Sequence, residues 1–116
     1  MRTRTVSTLA IDAVVVVVFA AIGRASHGED LGPAGIATTA WPFLVAVVVG
    51  SLLGSRLGGD QWWRQGLIVW LVTAVGGMLL RVASGTSAAP GFIAVGSVFL
   101  AVFLFGWRFL ARRRPA

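Results

Sequence analysis

The chain has 116 residues, 57% of them hydrophobic and only 12% charged, with ten arginines against four acids and a net charge of +6. A soluble domain of this size has about 45–50% apolar and about 25% charged residues, so the composition excludes a water-wetted surface and points to a lipid-facing one. Cysteine is absent, which excludes disulfides, thiolate catalysis and cysteine-ligated metals. The arginines lie between apolar runs rather than along one polar helix face, which excludes nucleic acid as a partner. At about 20 residues per crossing the chain has room for four spans and not for five.

The first span is predicted over residues 6–24, behind Arg2 and Arg4. It carries Asp12, and an Asp at a helix centre costs about 2.5–3.5 kcal/mol, whereas each Leu, Ile, Phe or Val returns about 0.3–0.6 kcal/mol. The apolar residues between Val6 and Ile22 offset that cost. A cleaved signal peptide would use the same arginines and the core Val14 to Ile22, but Asp12 beside that core and the lack of a following secreted domain argue against cleavage.

A polar outer loop, 25–36, holds His27, Glu29, Asp30 and Pro33. The second span, 37–57, carries Gly50 and Gly54, with Gly58 just beyond it; at intervals of four they share one helical stripe that another backbone can approach closely. After the turn 58–64 the third span is predicted over 65–82. Its charge-free stretch, Gln65 to Leu80, is 16 residues and rises only about 24 Å, so Arg64 and Arg81 are expected to snorkel outward from its ends. The turn 83–89 leads to the fourth span, 90–110, followed by the stop-transfer arginines Arg112, Arg113 and Arg114. The predicted fold is an all-α integral membrane four-helix bundle, one transmembrane domain over 1–116, with short loops that make consecutive helices antiparallel.

Arginine counts predict the sidedness. With the N-terminus inside, Arg2, Arg4, Arg56, Arg64, Arg108, Arg112, Arg113 and Arg114 are cytoplasmic and only Arg24 and Arg81 are outside, so both termini are expected in the cytoplasm. Trp41 falls at the outer boundary, Trp62, Trp63 and Trp107 at the inner one, and Trp70 deeper in the third span. The two halves also echo each other: Arg24, Pro42, Phe43 and Arg56 against Arg81, Pro90, Phe92 and Arg108. A two-helix duplication would explain this, although the Pro-to-Arg interval is 14 residues in one half and 18 in the other.

Asp12 is the sole acid inside a predicted span, and an ionisable group there marks a transport or proton-coupling site, forms a structural ion pair, for which Arg108 is the candidate partner, or lies exposed at the membrane interface. At the outer boundary Arg24, His27, Trp41 and Arg81 converge. They could cradle a carboxylate, phosphate or anionic head group through charge-assisted bonds; alternatively, Arg24 and Arg81 pair with Glu29 and Asp30 and close the loop. A metal at His27 would need further ligands, and Glu29 and Asp30 within three residues are too crowded a set. A haem held by His27 and Met78 is equally poorly supported, so no metal or cofactor is expected. No nucleophile–base or acid–base pair is discernible, so no catalytic residue and no enzyme activity are expected.

Asp12, the stretch Phe19-Ala20-Ala21-Ile22-Gly23-Arg24 with Ser26-His27-Gly28, then Thr39-Ala40-Trp41-Pro42-Phe43, Gly77-Met78 with Arg81, and Gly106-Trp107-Arg108 resemble the small prokaryotic membrane proteins of the domain of unknown function 3054 family. The resemblance runs over nearly the whole chain and implies four spans in a prokaryotic cytoplasmic membrane; it brings no activity with it. Small multidrug transporters are similar in length and span number, but their dual-topology dimers need balanced loop charges, which eight against two contradicts. The expected function is a non-enzymatic carrier, pore or binding protein for a small anionic or amphipathic molecule, with Arg24, His27, Trp41 and Arg81 as ligand contacts and Asp12 as coupling group. The alternative is an accessory subunit that packs against a larger membrane complex through the Gly50 stripe. Beyond the lipid bilayer, the expected partner is a second copy or that larger complex, because four helices are narrow for a solitary pathway.

Overall fold

The computed structural model describes residues 3–112, and among these there are four helices and no strand. They are α1 (Thr3–Ser26), α2 (Pro33–Leu57), α3 (Trp62–Ala83) and α4 (Pro90–Ala111). The shortest have 22 residues, about 33 Å at 1.5 Å per residue, which exceeds a hydrocarbon core of about 30 Å. All four are apolar enough to cross a membrane. Arg2, Arg113 and Arg114, which the sidedness argument places inside, lie outside the described residues.

The helices are longer and the loops shorter than the charge-free stretches suggest. Helix α3 takes Arg64 and Arg81 into its first and last turns, so it is a full-length span rather than a short one. Helix α2 starts at Pro33, not at 37: Gly32 is extended (φ −66°, ψ 160°) and Pro33 occupies the first turn, where its fixed φ suits the helix and its missing N–H is not needed. Pro90 opens α4 in the same way behind extended Ala89. Inside α2, Pro42 cannot donate to the Thr38 carbonyl, a defect tolerated in a span where neighbouring helices pack over it.

Each helix packs on its chain neighbours and α1 reaches α4, closing a ring whose diagonals make no close backbone approach. The α2–α3 seam is the most intimate and α1–α4 the slightest. Glycine is the cause of the first. A Cβ on Gly50 would lie 3.2 Å from Val72 Cβ and 3.3 Å from the Val69 carbonyl oxygen, and one on Gly54 would lie 2.9 Å from Val69 Cγ2. Gly58 ends α2, its N–H donating to Gly54 O at 2.8 Å. The glycine stripe is therefore consumed within the chain, against α3, where close packing rather than water exclusion drives helix association. In the half of the bundle that holds the 27–32 and 84–89 loops, Phe19 meets Phe43 edge to face at 5.2 Å and lies 5.7–5.8 Å from Phe92 and Phe99. The core continues through Val16, Val47, Val69, Leu100 and Leu104, all fully buried.

The two halves repeat, in a different register from the one the prolines first suggest. An interval of 57 residues carries Arg24 onto Arg81, Gly28 onto Gly85 and Pro33 onto Pro90, and carries the end of α1 onto the end of α3 and the start of α2 onto the start of α4. Both glycines have positive φ, 67° and 89°. The same interval maps six of the buried positions onto buried positions: 12 onto 69, 16 onto 73, 20 onto 77, 43 onto 100, 47 onto 104 and 51 onto 108. Pro42 has no counterpart, so the echo built on it was one helical segment out of step. The bundle is thus two α-hairpins of like direction, joined through unequal seams, α2–α3 close and α1–α4 slight.

Candidate functional site

Four polar side chains are buried among the described residues, one from each helix: Asp12, Ser51, Thr73 and Arg108. Arg108 lies in the last turn of α4, and helical side chains lean toward the N-terminus of their own helix. Its guanidinium accordingly reaches back one turn, where Nη1 donates to the Leu104 carbonyl at 3.1 Å. There it meets Asp12 end-on, Nη1 to Oδ1 at 2.8 Å and Nη2 to Oδ2 at 2.7 Å. Trp107 Nε1 donates to Asp12 Oδ1 at 2.9 Å, and the Trp107 ring lies 4.6 Å from Arg108 Cζ. Asp12 is 0% exposed and Arg108 3%. The pair is neutral as a unit and fastens the slight α1–α4 seam with the bidentate geometry that suits guanidinium and carboxylate.

Three buried polar atoms are left over. Arg108 Nε, Ser51 Oγ and Thr73 Oγ1 are buried without a hydrogen-bond partner, each a cost of about 1–3 kcal/mol if it stays empty. Elsewhere in the chain helical hydroxyls bond the carbonyl four residues back, as Ser26 does to Ile22 and Thr38 to Ala34 at 2.8 Å. Ser51 and Thr73 do not.

The candidates near the 27–32 and 84–89 loops are arranged differently. Arg24 Nε donates to the Asp30 carbonyl at 2.6 Å and Nη1 to Thr39 Oγ1 at 3.0 Å, with Glu29 Oε2 3.7 Å from Nη1. Arg81 Nε donates to the Ser87 carbonyl at 2.9 Å, and its Cζ sits 4.3 Å over the Phe92 ring. Each arginine therefore hooks the loop that follows it, at the carbonyl six residues on, and Glu29 lies within electrostatic reach of Arg81 as well. The terminal nitrogens of Arg81 have no hydrogen-bonded partner among the described residues. His27 is exposed and Trp41 is 42% exposed, so the four candidates share one end of the bundle without closing on a common point. No three metal-ligating side chains come together among the described residues, and Met78 is buried in the core whereas His27 is exposed.

Residues 9–111 match the family model described as Protein of unknown function (DUF3054). The chain belongs to this family. The matched region of this DUF3054 protein contains the Asp12–Arg108 pair, both arginine hooks and the glycine stripe. No curated protein and no solved structure matches it. The sequence pointed to Asp12 and Arg108, but Trp107 was assigned to an interfacial belt and Ser51 and Thr73 were passed over. The signal for Trp107 was its place next to Arg108 on the helix that must face Asp12.

Proposed function

We propose that this DUF3054 protein is a non-enzymatic, proton-linked carrier or binding protein for a small anionic or amphipathic molecule in the cytoplasmic membrane, with both termini cytoplasmic. The observation that carries the reading is the closed, buried Asp12–Arg108 pair at the slightest seam of the bundle. A guanidinium in a low-dielectric interior needs a counter-charge, and stripping it of its carboxylate costs several kcal/mol. When a proton neutralises Asp12, Arg108 takes an anion from solution instead, so one proton and one anionic charge enter together and the interior stays neutral. The α2–α3 seam, tightened by Gly50 and Gly54, serves as the hinge, and the α1–α4 seam opens when its ion pair is exchanged. This is rocking of one hairpin against its repeat. At the far end Arg81, with Arg24 and His27 beside it and Trp41 at the rim, raises the local concentration of anions. A second copy would widen the pathway. The accessory-subunit reading rested on the glycine stripe, which faces α3, so a partner would have to dock on another surface.

The test is uptake into proteoliposomes of nitrate, pyruvate and inorganic phosphate with and without an inward proton gradient. Accumulation of at least one of them is expected to follow the gradient, to collapse with an uncoupler, and to be lost in Asp12→Asn. Arg81→Gln is expected to slow the initial rate several-fold at low ionic strength and much less at high salt, as a steering charge does. Uptake of none of the three, or uptake indifferent to both the gradient and Asp12→Asn, would contradict the proposal.

A further inference from the structure

We infer that Arg108, Ser51 and Thr73 form an axial binding site for a small, planar, monovalent oxyanion; this rests on the carrier reading and names its substrate class. The first support is the chemistry of what is left unpaired. All three vacant buried side-chain atoms are able to donate, and no buried carboxylate or amide oxygen is left without a donor among the described residues. A set of spare donors answers to an anion. Arg108 presents its end, Nη1 and Nη2, to Asp12 and leaves its side edge open: Nε has no partner, and Nη2 makes a single bond. That edge is a second two-pronged fork matched to two oxygens of a planar anion.

The second support is position. The 57-residue repeat makes Ser51 the counterpart of Arg108, and both are buried, on the diagonal helices α2 and α4. Gly50 meets Val72 across the α2–α3 seam, and Ser51 and Thr73 are the next residues of those two helices. The repeat also explains the lopsided charge. Val69 stands where Asp12 stands in the other half, so the interior holds one carboxylate and one guanidinium instead of two of each. With Asp12 protonated, a monovalent anion balances Arg108, whereas a dianion leaves one buried charge uncompensated. Size is limited by Val16, Val47, Val69, Leu100 and Leu104, which fill the rest of the interior and are 0% exposed. The hydroxyls of Ser51 and Thr73 are free for the ligand because neither bonds back along its own helix.

The experiment measures equilibrium binding of nitrate to the detergent-solubilised full chain by calorimetry and by thermal unfolding, with sulfate as the divalent comparator. In Asp12→Asn, where Arg108 has no resident counter-charge, nitrate is expected to raise the unfolding temperature and sulfate to leave it unchanged, at concentrations low enough for general salting effects to be small. Asp12→Asn is expected to bind nitrate more tightly, since Arg108 loses its resident counter-charge, and Ser51→Ala with Thr73→Val to bind it roughly tenfold more weakly, for two lost hydrogen bonds. Thr73→Val is near-isosteric, so a variant that folds poorly is replaced by that single change, expected to weaken binding about threefold. Nitrate affinity unchanged in these variants, or sulfate stabilising as well as nitrate, overturns the site. The two readings part cleanly. Nitrate binding that depends on Ser51 and Thr73 without any transport keeps the site and removes the carrier. Proton-driven uptake that ignores both hydroxyls keeps the carrier and removes the site.

Discussion

Replacing Asp12 with alanine is expected to destabilise the folded bundle by about 3–5 kcal/mol, the cost of leaving a buried partner charge uncompensated. Arg108 cannot swing to water without unpacking the last turn of α4, because its guanidinium is 3% exposed and its Nη1 is already tied to the Leu104 carbonyl. Trp107 Nε1 loses its acceptor in the same variant. Replacing both charges with apolar residues of similar size, Asp12→Leu with Arg108→Met, is expected to recover most of the loss, since a buried pair adds little net stability over a well-packed apolar one. The measurement is reversible unfolding in mixed micelles of the two single variants and the double variant. A single variant within about 0.5 kcal/mol of wild type, the range of substitutions that disturb nothing, would mean that the pair does not close the α1–α4 seam.

Gly77→Val is the second large effect, expected at about 1–3 kcal/mol from overpacking. A Cβ at Gly77 would fall 2.6 Å from Phe43 Cε1, and the Phe43 ring is fully buried and held edge to face by Phe19, so it has no free direction in which to yield. Shrinking the obstacle with Phe43→Leu is expected to relieve part of the cost, a coupling of about 0.5–3 kcal/mol in a double-mutant cycle. Gly106, in the interior of α4, has nothing within 4 Å of the position of a Cβ. Gly106→Ala is therefore expected to be neutral or to stabilise by up to about 1 kcal/mol through helix propensity. Equal effects at the two glycines would contradict the packing described for Phe43.

Hydropathy and loop charge were enough to read four helices, because lipid leaves a chain few ways to satisfy its backbone. Their ends were less legible. Counting charge-free residues stops a span at Arg64 and Arg81, whereas an arginine inside the terminal turn can extend its head group outward while its backbone stays helical. Pro33 was assigned to a loop for its company of glycines and acids, and that placement hid the repeat, which becomes visible only when Pro33 rather than Pro42 is aligned with Pro90. The Asp12–Arg108 pair was one of three readings open to a lone intramembrane acid, beside a coupling site and an exposed interfacial residue, and side-chain geometry shows the pair formed and buried. Ser51 and Thr73 gave no warning, since a hydroxyl in an apolar helix ordinarily bonds its own backbone; their vacancy exists only in three dimensions. At the other end, Arg24 could equally have faced a ligand or its own loop, and its bonds to the Asp30 carbonyl and Thr39 show how much of it the loop occupies.

The absence of native cysteine makes one experiment unusually clean. Single cysteines at Ser26, Asp60 and Thr86, in or beside the three connections between helices, would be exposed on intact cells to a membrane-impermeant maleimide. Four crossings with both termini inside predict labelling at 26 and 86 and none at 60 until the membrane is opened. Labelling of 60 together with 26 from one face, or of 26 and 86 from opposite faces, would contradict the bundle as a four-span membrane protein and every reading of its interior built on that.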